Sequence, residues 1–189
     1  MTNCESKKKY AFFVEGETEV LGLKKAFGIK ARKIGIYGHT STVDHIFKKL
    51  KAAIQLNEYT HVFVMFDRES RTETSKELKH ELEAKLIKEF PNLTVNVAIP
   101  DFDIESWLFS DTEITEKYFG QKMSKKAKFE GRNGCKSLKE YMPKADYDKT
   151  TDGVTLFSKV RWSKICSNSP SARISNIEKS FPDCGWLAT

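Results

Sequence analysis

Residues 10–19 read Tyr-Ala-Phe-Phe-Val-Glu-Gly-Glu-Thr-Glu. The first five are apolar without alternation, which is typical of a short strand that is buried on both faces of a parallel sheet. Gly16 permits a sharp turn, and from Glu17 to about Phe27 apolar residues recur at helical spacing. The stretch therefore predicts a strand that passes directly into a helix and leaves the Glu15 carboxylate at the junction.

Further apolar runs and amphipathic stretches continue this alternation. The predicted elements are a strand at Lys33–Gly38, a helix at Thr42–Gln55, a strand at His61–Phe66, a helix at Thr74–Phe90 and a strand at Leu93–Ile99. Strands separated by helices are joined by right-handed crossovers, which favour parallel pairing. The order β-α-β-α-β-α-β predicts an α/β fold with a mostly parallel four-stranded sheet and helices on both faces.

After Pro100 the pattern becomes helical and predicts a C-terminal helical extension. The predicted segments are helices at Ile104–Phe109, at Glu113–Phe119 with an Asp111 cap, from Asp152 to about Cys166, and after the Ser169-Pro170 pair, with an exposed basic loop at Gln121–Lys139. The chain length suits a single domain. We expect a core at residues 1–119, with the basic loop and C-terminal helices of residues 120–189 packed on that domain.

The chain is basic, with a formal net charge of +6 and a pI near 9.0. Such a charge favours polyanionic partners, because Lys and Arg side chains that neutralise phosphates release condensed counterions. The candidate nucleic-acid contacts are Arg68, Lys122, Lys125, Lys126, Lys128 and Arg132. Charge alone leaves open a second interpretation, in which these side chains form a solvated surface with no nucleic-acid partner.

The four cysteines lie far apart without a CxxC motif, so the sequence predicts neither a zinc ribbon nor a disulfide framework. The four histidines show no spacing typical of metal ligands. Apolar runs are too short for a signal peptide or a membrane span. Reduced thiols and the absence of such segments lead us to expect a cytoplasmic protein.

Two predicted strands end in acids, with Glu15 after the first and both Asp67 and Glu69 after the strand at His61–Phe66. In an open parallel sheet, functional groups gather beyond the carboxyl ends of the strands. Clustered carboxylates repel one another unless a cation lies among them, and oxygen ligands suit Mg²⁺ or Mn²⁺. The sequence therefore predicts a Mg²⁺ or Mn²⁺ site. Taken singly, each motif also fits a plain turn whose acids favour a helix dipole.

Phe13–Glu19 and Val64–Glu69 resemble the glutamate motif and the DxD motif of Toprim domains. Asp103–Leu108 resembles the later acidic helix start of the small Toprim proteins related to RloB and to the OLD nucleases, which occur in bacterial defence and mobile-element loci. The resemblance covers about residues 10–110 and implies a Toprim-like (Rossmann-like) fold. The chain departs from the pattern at Glu69, where the family usually has aspartate, and this leaves the metal preference open.

The resemblance implies roles for individual residues. Glu15, Asp67 and Glu69 would be the catalytic metal ligands, with Glu15 as an alternative general acid or base. Glu105 would be a further ligand or an orienting group, and it fits a plain acid at a helix start equally well. The implied activity is a Mg²⁺- or Mn²⁺-dependent nuclease of an anti-phage or mobile-element system with an ATPase partner. The alternative is a non-catalytic Toprim module that binds nucleic acid or a partner protein.

Overall fold

The structure is a computed structural model that describes residues 8–36, 41–124 and 126–177. The strands in these residues are β1 (Tyr10–Val14), β2 (Arg32–Lys33), β3 (His61–Met65) and β4 (Thr94–Ala98). They form one parallel sheet in the order β2-β1-β3-β4. Val14 pairs with Met65, which pairs with Ala98, so the carboxyl ends of the three long strands lie at one edge of the sheet.

Three helices connect the strands and further short helices follow β4. They are α1 (Glu17–Phe27), α2 (Val43–Asn57), α3 (Ser75–Glu89), α4 (Ile104–Leu108), α5 (Thr112–Phe119), α6 (Gly134–Tyr141), α7 (Val154–Phe157), α8 (Trp162–Asn168) and α9 (Pro170–Ile174), with a π-helical turn at Lys149–Gly153 directly before α7. The predicted strands and helices up to β4 are confirmed within one or two residues, apart from the second strand. Across the described ranges, none of the helices is both long enough and apolar enough to traverse a bilayer.

The sheet has a separate apolar core on each face. On one face α2 and α3 pack on the sheet, and this core includes Ile46, Leu50, Val62, Val64, Leu82 and Leu86. On the other face α1 and the C-terminal helices pack on the sheet, and this core includes Phe12, Leu23, Phe63, Trp107, Phe157 and Ile165. The predicted α/β fold with helices on both faces is confirmed, and the C-terminal helices bury the second face of the sheet.

Side-chain hydrogen bonds stabilise the starts of α3 and α5 in different ways. The Thr74 hydroxyl accepts a hydrogen bond from the Glu77 amide, and the Glu77 carboxylate accepts one from the Thr74 amide, so a capping box begins α3. Asp111 is the N-cap residue of α5, as predicted. Its fully buried carboxylate also accepts hydrogen bonds from the Arg161 amide and guanidinium. This pair ties the start of α5 to the start of α8.

The second strand is shorter than the prediction of Lys33–Gly38. It comprises Arg32 and Lys33 at the edge of the sheet, and the Ile34 amide makes one further hydrogen bond, to the Val14 carbonyl (2.8 Å). Gly35 then has a left-handed backbone with a φ of 67°, which turns the chain away from the sheet. The end of the predicted strand, residues 37 and 38, lies outside the described residues.

The basic segment at Gln121–Lys139 is not loop throughout, because α6 begins at Gly134. The Asn133 side chain caps this helix by accepting from the Lys136 amide (2.9 Å). Leu138 and Tyr141 are buried, whereas the lysines lie on the exposed face. The prediction was wrong here because the apolar stripe of this helix is short and lies among the glycines and basic residues of the segment.

The predicted helix from Asp152 to about Cys166 is also wrong, since the segment contains two short helices, α7 and α8. Arg161 separates them, and its amide is held by Asp111 rather than by the preceding helical turn. The π-helical turn before α7 is held against α1 by a hydrogen bond from the Thr18 hydroxyl to the Lys149 carbonyl (3.2 Å). Tertiary contacts therefore break a helix that its apolar spacing favours.

Candidate functional site

Glu15 and Asp67 meet at the carboxyl ends of β1 and β3. The Glu15 amide donates to the Met65 carbonyl (3.1 Å), and the Asp67 amide donates to Glu15 Oε2 (2.9 Å). The chain leaves β1 toward β2 on one side and leaves β3 toward β4 on the other, so this contact lies at the topological switch point of the sheet. Ligands of open α/β sheets bind in the crevice at such a point.

Three more acids join this pair. Glu19 in the first turn of α1, Asp103 before α4 and Glu105 in α4 are each no more than 3% exposed. The charges that act most strongly on Asp67 are those of Glu19, Glu105, Glu15 and Asp103, in that order. We call these five residues the acid cluster.

Gly16 has a different role from the sharp turn that the sequence suggested. Its φ of −108° and ψ of 173° are ordinary extended values that any residue adopts. A Cβ at this position would lie 2.6 Å from Glu19 Oε2. A side chain at residue 16 would therefore displace the Glu19 carboxylate from its present position.

Burial and repulsion from neighbouring acids disfavour the charged forms of Asp67, Glu19 and Asp103. Burial, and then the charges of its neighbours, raises the pKa of Asp67 well above its usual range. The same two causes raise the pKa of Glu19 to about 7 and that of Asp103 to about 6. Two buried oxygens of the cluster, Asp67 Oδ1 and Glu105 Oε2, have no hydrogen-bond partner among the described residues. Bound protons or a cation would therefore stabilise the cluster.

One lysine supplies part of the missing positive charge. Lys149 Nζ lies 3.2 Å from Glu105 Oε1, and the Tyr147 hydroxyl donates to the same oxygen at 3.3 Å. Burial, the largest single cause, lowers the pKa of Lys149, but Glu105 and the other acidic groups beside it together raise that pKa above its usual value. Burial, with Glu105 next, raises the pKa of the neighbouring Cys135 thiol to about 11, so the thiol stays protonated at neutral pH.

Asp103 and Gly134 hold Glu105 in place. The Gly134 amide donates to both carboxylate oxygens of Asp103 (3.0 and 3.1 Å), and the Ser106 amide donates to Oδ1 (2.9 Å). A Cβ on Gly134 would lie 2.6 Å from the Glu105 Cβ and 2.7 Å from the Ser106 amide nitrogen. The start of α6 can approach α4 this closely only because residue 134 has no side chain.

Glu69 is placed differently from the other predicted ligands. Its backbone is left-handed, with a φ of 50°, and its amide donates to the Phe102 carbonyl (2.7 Å). It is not among the four acids that act most strongly on Asp67. The structure brings Glu15, Asp67 and Glu105 together. Glu69 is not part of this group, and its role as a metal ligand stays a prediction.

Residues 14–174 match the family described as Domain of unknown function (DUF4276). The chain belongs to the DUF4276 family. The match spans every residue of the acid cluster, from Glu15 to Glu105, together with Lys149. No curated protein and no solved structure matches the chain.

The predicted phosphate contacts of this DUF4276 domain fall into two groups. Lys122 pairs with Glu116 (2.8 Å), Arg132 with Glu140, and Arg68 with Asp101. Lys126 and Lys128 are exposed and line an open cavity of about 540 Å³ between α5 and α8. Lys125 lies outside the described residues. Lys122, Arg132 and Arg68 thus already have carboxylate partners. Lys126 and Lys128 instead line a cavity that a ligand can enter.

The donor set of the DUF4276 acid cluster fits a hard divalent cation in its chemistry. All the side-chain atoms of the cluster that could bind a metal are carboxylate oxygens. Two of them, Asp67 Oδ1 and Glu105 Oε2, are buried without a hydrogen-bond partner among the described residues. In their present rotamers, however, no three His, Cys, Asp or Glu side chains of the described chain are arranged to hold an ion. The carboxylates would have to rotate toward one another to bind it.

Sequence reasoning missed Glu19 and Asp103 as members of the cluster, and also Lys149. Glu19 was visible as a signal, because it is an acid in the first turn of the predicted helix, only four residues after Glu15. Asp103 precedes a helix and therefore resembled an ordinary cap. Nothing in the spacing of Lys149 indicates its contact with Glu105, which depends on how the π-helical turn packs on α1.

Proposed function

We propose that this DUF4276 protein is a Toprim-type, metal-dependent nuclease that hydrolyses phosphodiesters of nucleic acids. One observation carries the proposal, namely the contact of the partly buried Glu15 and Asp67 beside three buried acids at the switch point of a parallel sheet. The resemblance of Phe13–Glu19 and Val64–Glu69 to the two Toprim motifs supports the same assignment.

Mg²⁺ or Mn²⁺ would be held by Glu15, Asp67 and Glu105, with Glu69 as a further ligand from the rim. When bound, such an ion polarises a phosphodiester and makes a bound water more acidic. In the metal-free protein Glu19 has a pKa of about 7, which makes it a candidate to take or give a proton at neutral pH. Lys149, beside Glu105, places a positive charge where a phosphate would approach.

The substrate class follows from charge. The net charge of +6 and the exposed Lys126 and Lys128 favour a polyanion, which agrees with a nucleic-acid substrate. The Toprim resemblance adds an ATPase partner and a setting in anti-phage or mobile-element loci. Both belong to the proposal, since they rest on that resemblance alone.

Cleavage of labelled single- and double-stranded DNA and RNA, with Mg²⁺ or Mn²⁺ and with EDTA, tests the proposal. The cleavage assay also contains any partner protein that is encoded beside the gene. Glu15→Gln and Asp67→Asn should abolish cleavage, whereas Glu17→Gln should not, because Glu17 is close to Glu15 in the chain but pairs with Lys33. Absence of cleavage in every arm, or cleavage that both cluster variants retain, would refute the proposal.

The alternative is a non-catalytic module that binds nucleic acid or a partner protein. It is favoured by the absence of a preformed three-ligand group among the described residues and by the Lys149 contact, which already neutralises part of Glu105. Salt-dependent binding of DNA or RNA that neither EDTA nor Asp67→Asn alters would support this alternative.

A further inference from the structure

Two arginines close the loop that follows β3 and carries Asp67. The Arg68 guanidinium donates to the Arg71 carbonyl (2.8 Å) and pairs with Asp101 beyond β4. In return, the Arg71 guanidinium donates to the carbonyls of Asp67 and Arg68. Each arginine therefore bonds the backbone of the other, and the loop becomes a closed unit.

Arg71 also anchors this loop to a neighbouring connection. Its Nε and Nη2 donate to the Ser41 carbonyl just before α2 (3.4 and 3.3 Å). Its Cζ lies 5.4 Å from the centroid of the Phe66 ring, and the residue is only 9% exposed. A buried guanidinium with several backbone acceptors is costly to disturb, since each acceptor would lose its donor.

We propose that Arg71 is a positioning residue that holds the Asp67 amide against the Glu15 carboxylate. The loop needs such a restraint because Glu69 has a left-handed backbone that non-glycine residues disfavour. Arg71 bonds the Asp67 carbonyl directly, so it fixes the peptide unit that follows the Asp67 side chain. The inference rests on the proposed function only in treating these acids as metal ligands.

The chemistry of the contact explains why the residue is an arginine. The planar guanidinium presents five donors in a fixed fork, so one side chain bonds the carbonyls of Ser41, Asp67 and Arg68 together. A lysine ammonium would keep the charge but not this planar geometry. Arg71→Lys should therefore retain only part of the restraint, and Arg71→Met should lose all of it.

Amide hydrogen exchange of the metal-free protein, measured residue by residue by NMR, tests the restraint itself. In Arg71→Met the Asp67 amide should exchange about tenfold faster than in wild type, while the Val64 amide inside β3 is unchanged. Arg161→Met is the matched control. It removes a different hydrogen-bonded arginine, whose partner is the Asp111 carboxylate, and it should leave exchange of the Asp67 amide unchanged. If Arg71→Met does not fold, Arg71→Lys takes its place.

Equal protection of the Asp67 amide in wild type and in the folded Arg71 variant would overturn the inference. Mn²⁺ titration calorimetry, below the lowest Tm, then separates it from the proposed function. Loss of the restraint should weaken Mn²⁺ binding by about tenfold or more, and an affinity within about twofold of wild type would also overturn the inference. Wild type that binds no Mn²⁺ would refute the proposed function, while faster exchange of Asp67 in Arg71→Met would still support the positioning role.

Discussion

Replacing Glu19 by glutamine should stabilise the metal-free protein at alkaline pH. Glu19 is 3% exposed, and burial together with the charges of Glu105 and Glu15 raises its pKa from 4.5 to about 7. An acid whose pKa is higher in the folded state destabilises that state when it ionises. The penalty is absent below the unfolded pKa of 4.5, grows as the pH rises, and is complete above about 7.

The size of the effect follows from the same pKa values. The difference between 4.5 and about 7 corresponds to about 3 kcal/mol, at about 1.4 kcal/mol for each pH unit. Glutamine keeps the shape of the side chain and removes the charge. We therefore expect Glu19→Gln to raise the free energy of unfolding by about 1–3 kcal/mol at pH 8, and by about 1 kcal/mol or less at pH 5.

Urea unfolding in EDTA at pH 5 and pH 8 measures this difference. Glu58→Gln is the control, because its side chain is 82% exposed and its replacement should leave the pH dependence unchanged. With Mg²⁺ or Mn²⁺ present the difference between the two proteins should shrink, since a cation among the acids lowers the cost of ionising Glu19. Parallel loss of stability from pH 5 to pH 8 in wild type and Glu19→Gln would refute the electrostatic reasoning.

Three further substitutions test the packing around the acid cluster and at the start of α8. Gly134→Ala should cost about 1–3 kcal/mol in urea unfolding, because the new methyl group collides with the backbone of α4, and Mn²⁺ affinity should fall with it. Arg161→Met should cost about 2 kcal/mol by leaving the buried Asp111 carboxylate without its guanidinium, with Mn²⁺ affinity unchanged by calorimetry. Lys149→Met should lower the Tm in EDTA at pH 8, because Glu105 then loses its cation, and added Mn²⁺ should restore more of the Tm than in wild type.

Much of the fold was predictable because the signals are local. Tyr10–Val14 and His61–Met65 are short apolar runs without alternation, and the helices between the strands carry apolar stripes at helical spacing. The predictions failed where tertiary contacts compete with local preference. Gly35 turns the chain off the edge strand, and Arg161 is drawn to Asp111 instead of continuing a helix.

The candidate site was predictable in part for the same reason. Glu15 and Asp67 follow neighbouring strands, so a parallel sheet must bring them to one edge. Arg68 and Arg132 were predicted as nucleic-acid contacts, but both have acidic partners within the fold. Charge counts in a sequence do not show which cations are already paired, because the pairing joins residues from different elements.

The sequence by itself determined the alternation of strands and helices, and this alternation favours parallel strands that bring Glu15 and Asp67 to one edge of the sheet. Only the tertiary structure decided that β1 and β3 are neighbours, that Glu19 and Asp103 complete the acid cluster and that Lys149 lies beside it. Those contacts join segments far apart in the chain. Their distances depend on how helices pack on the sheet, which no local pattern encodes.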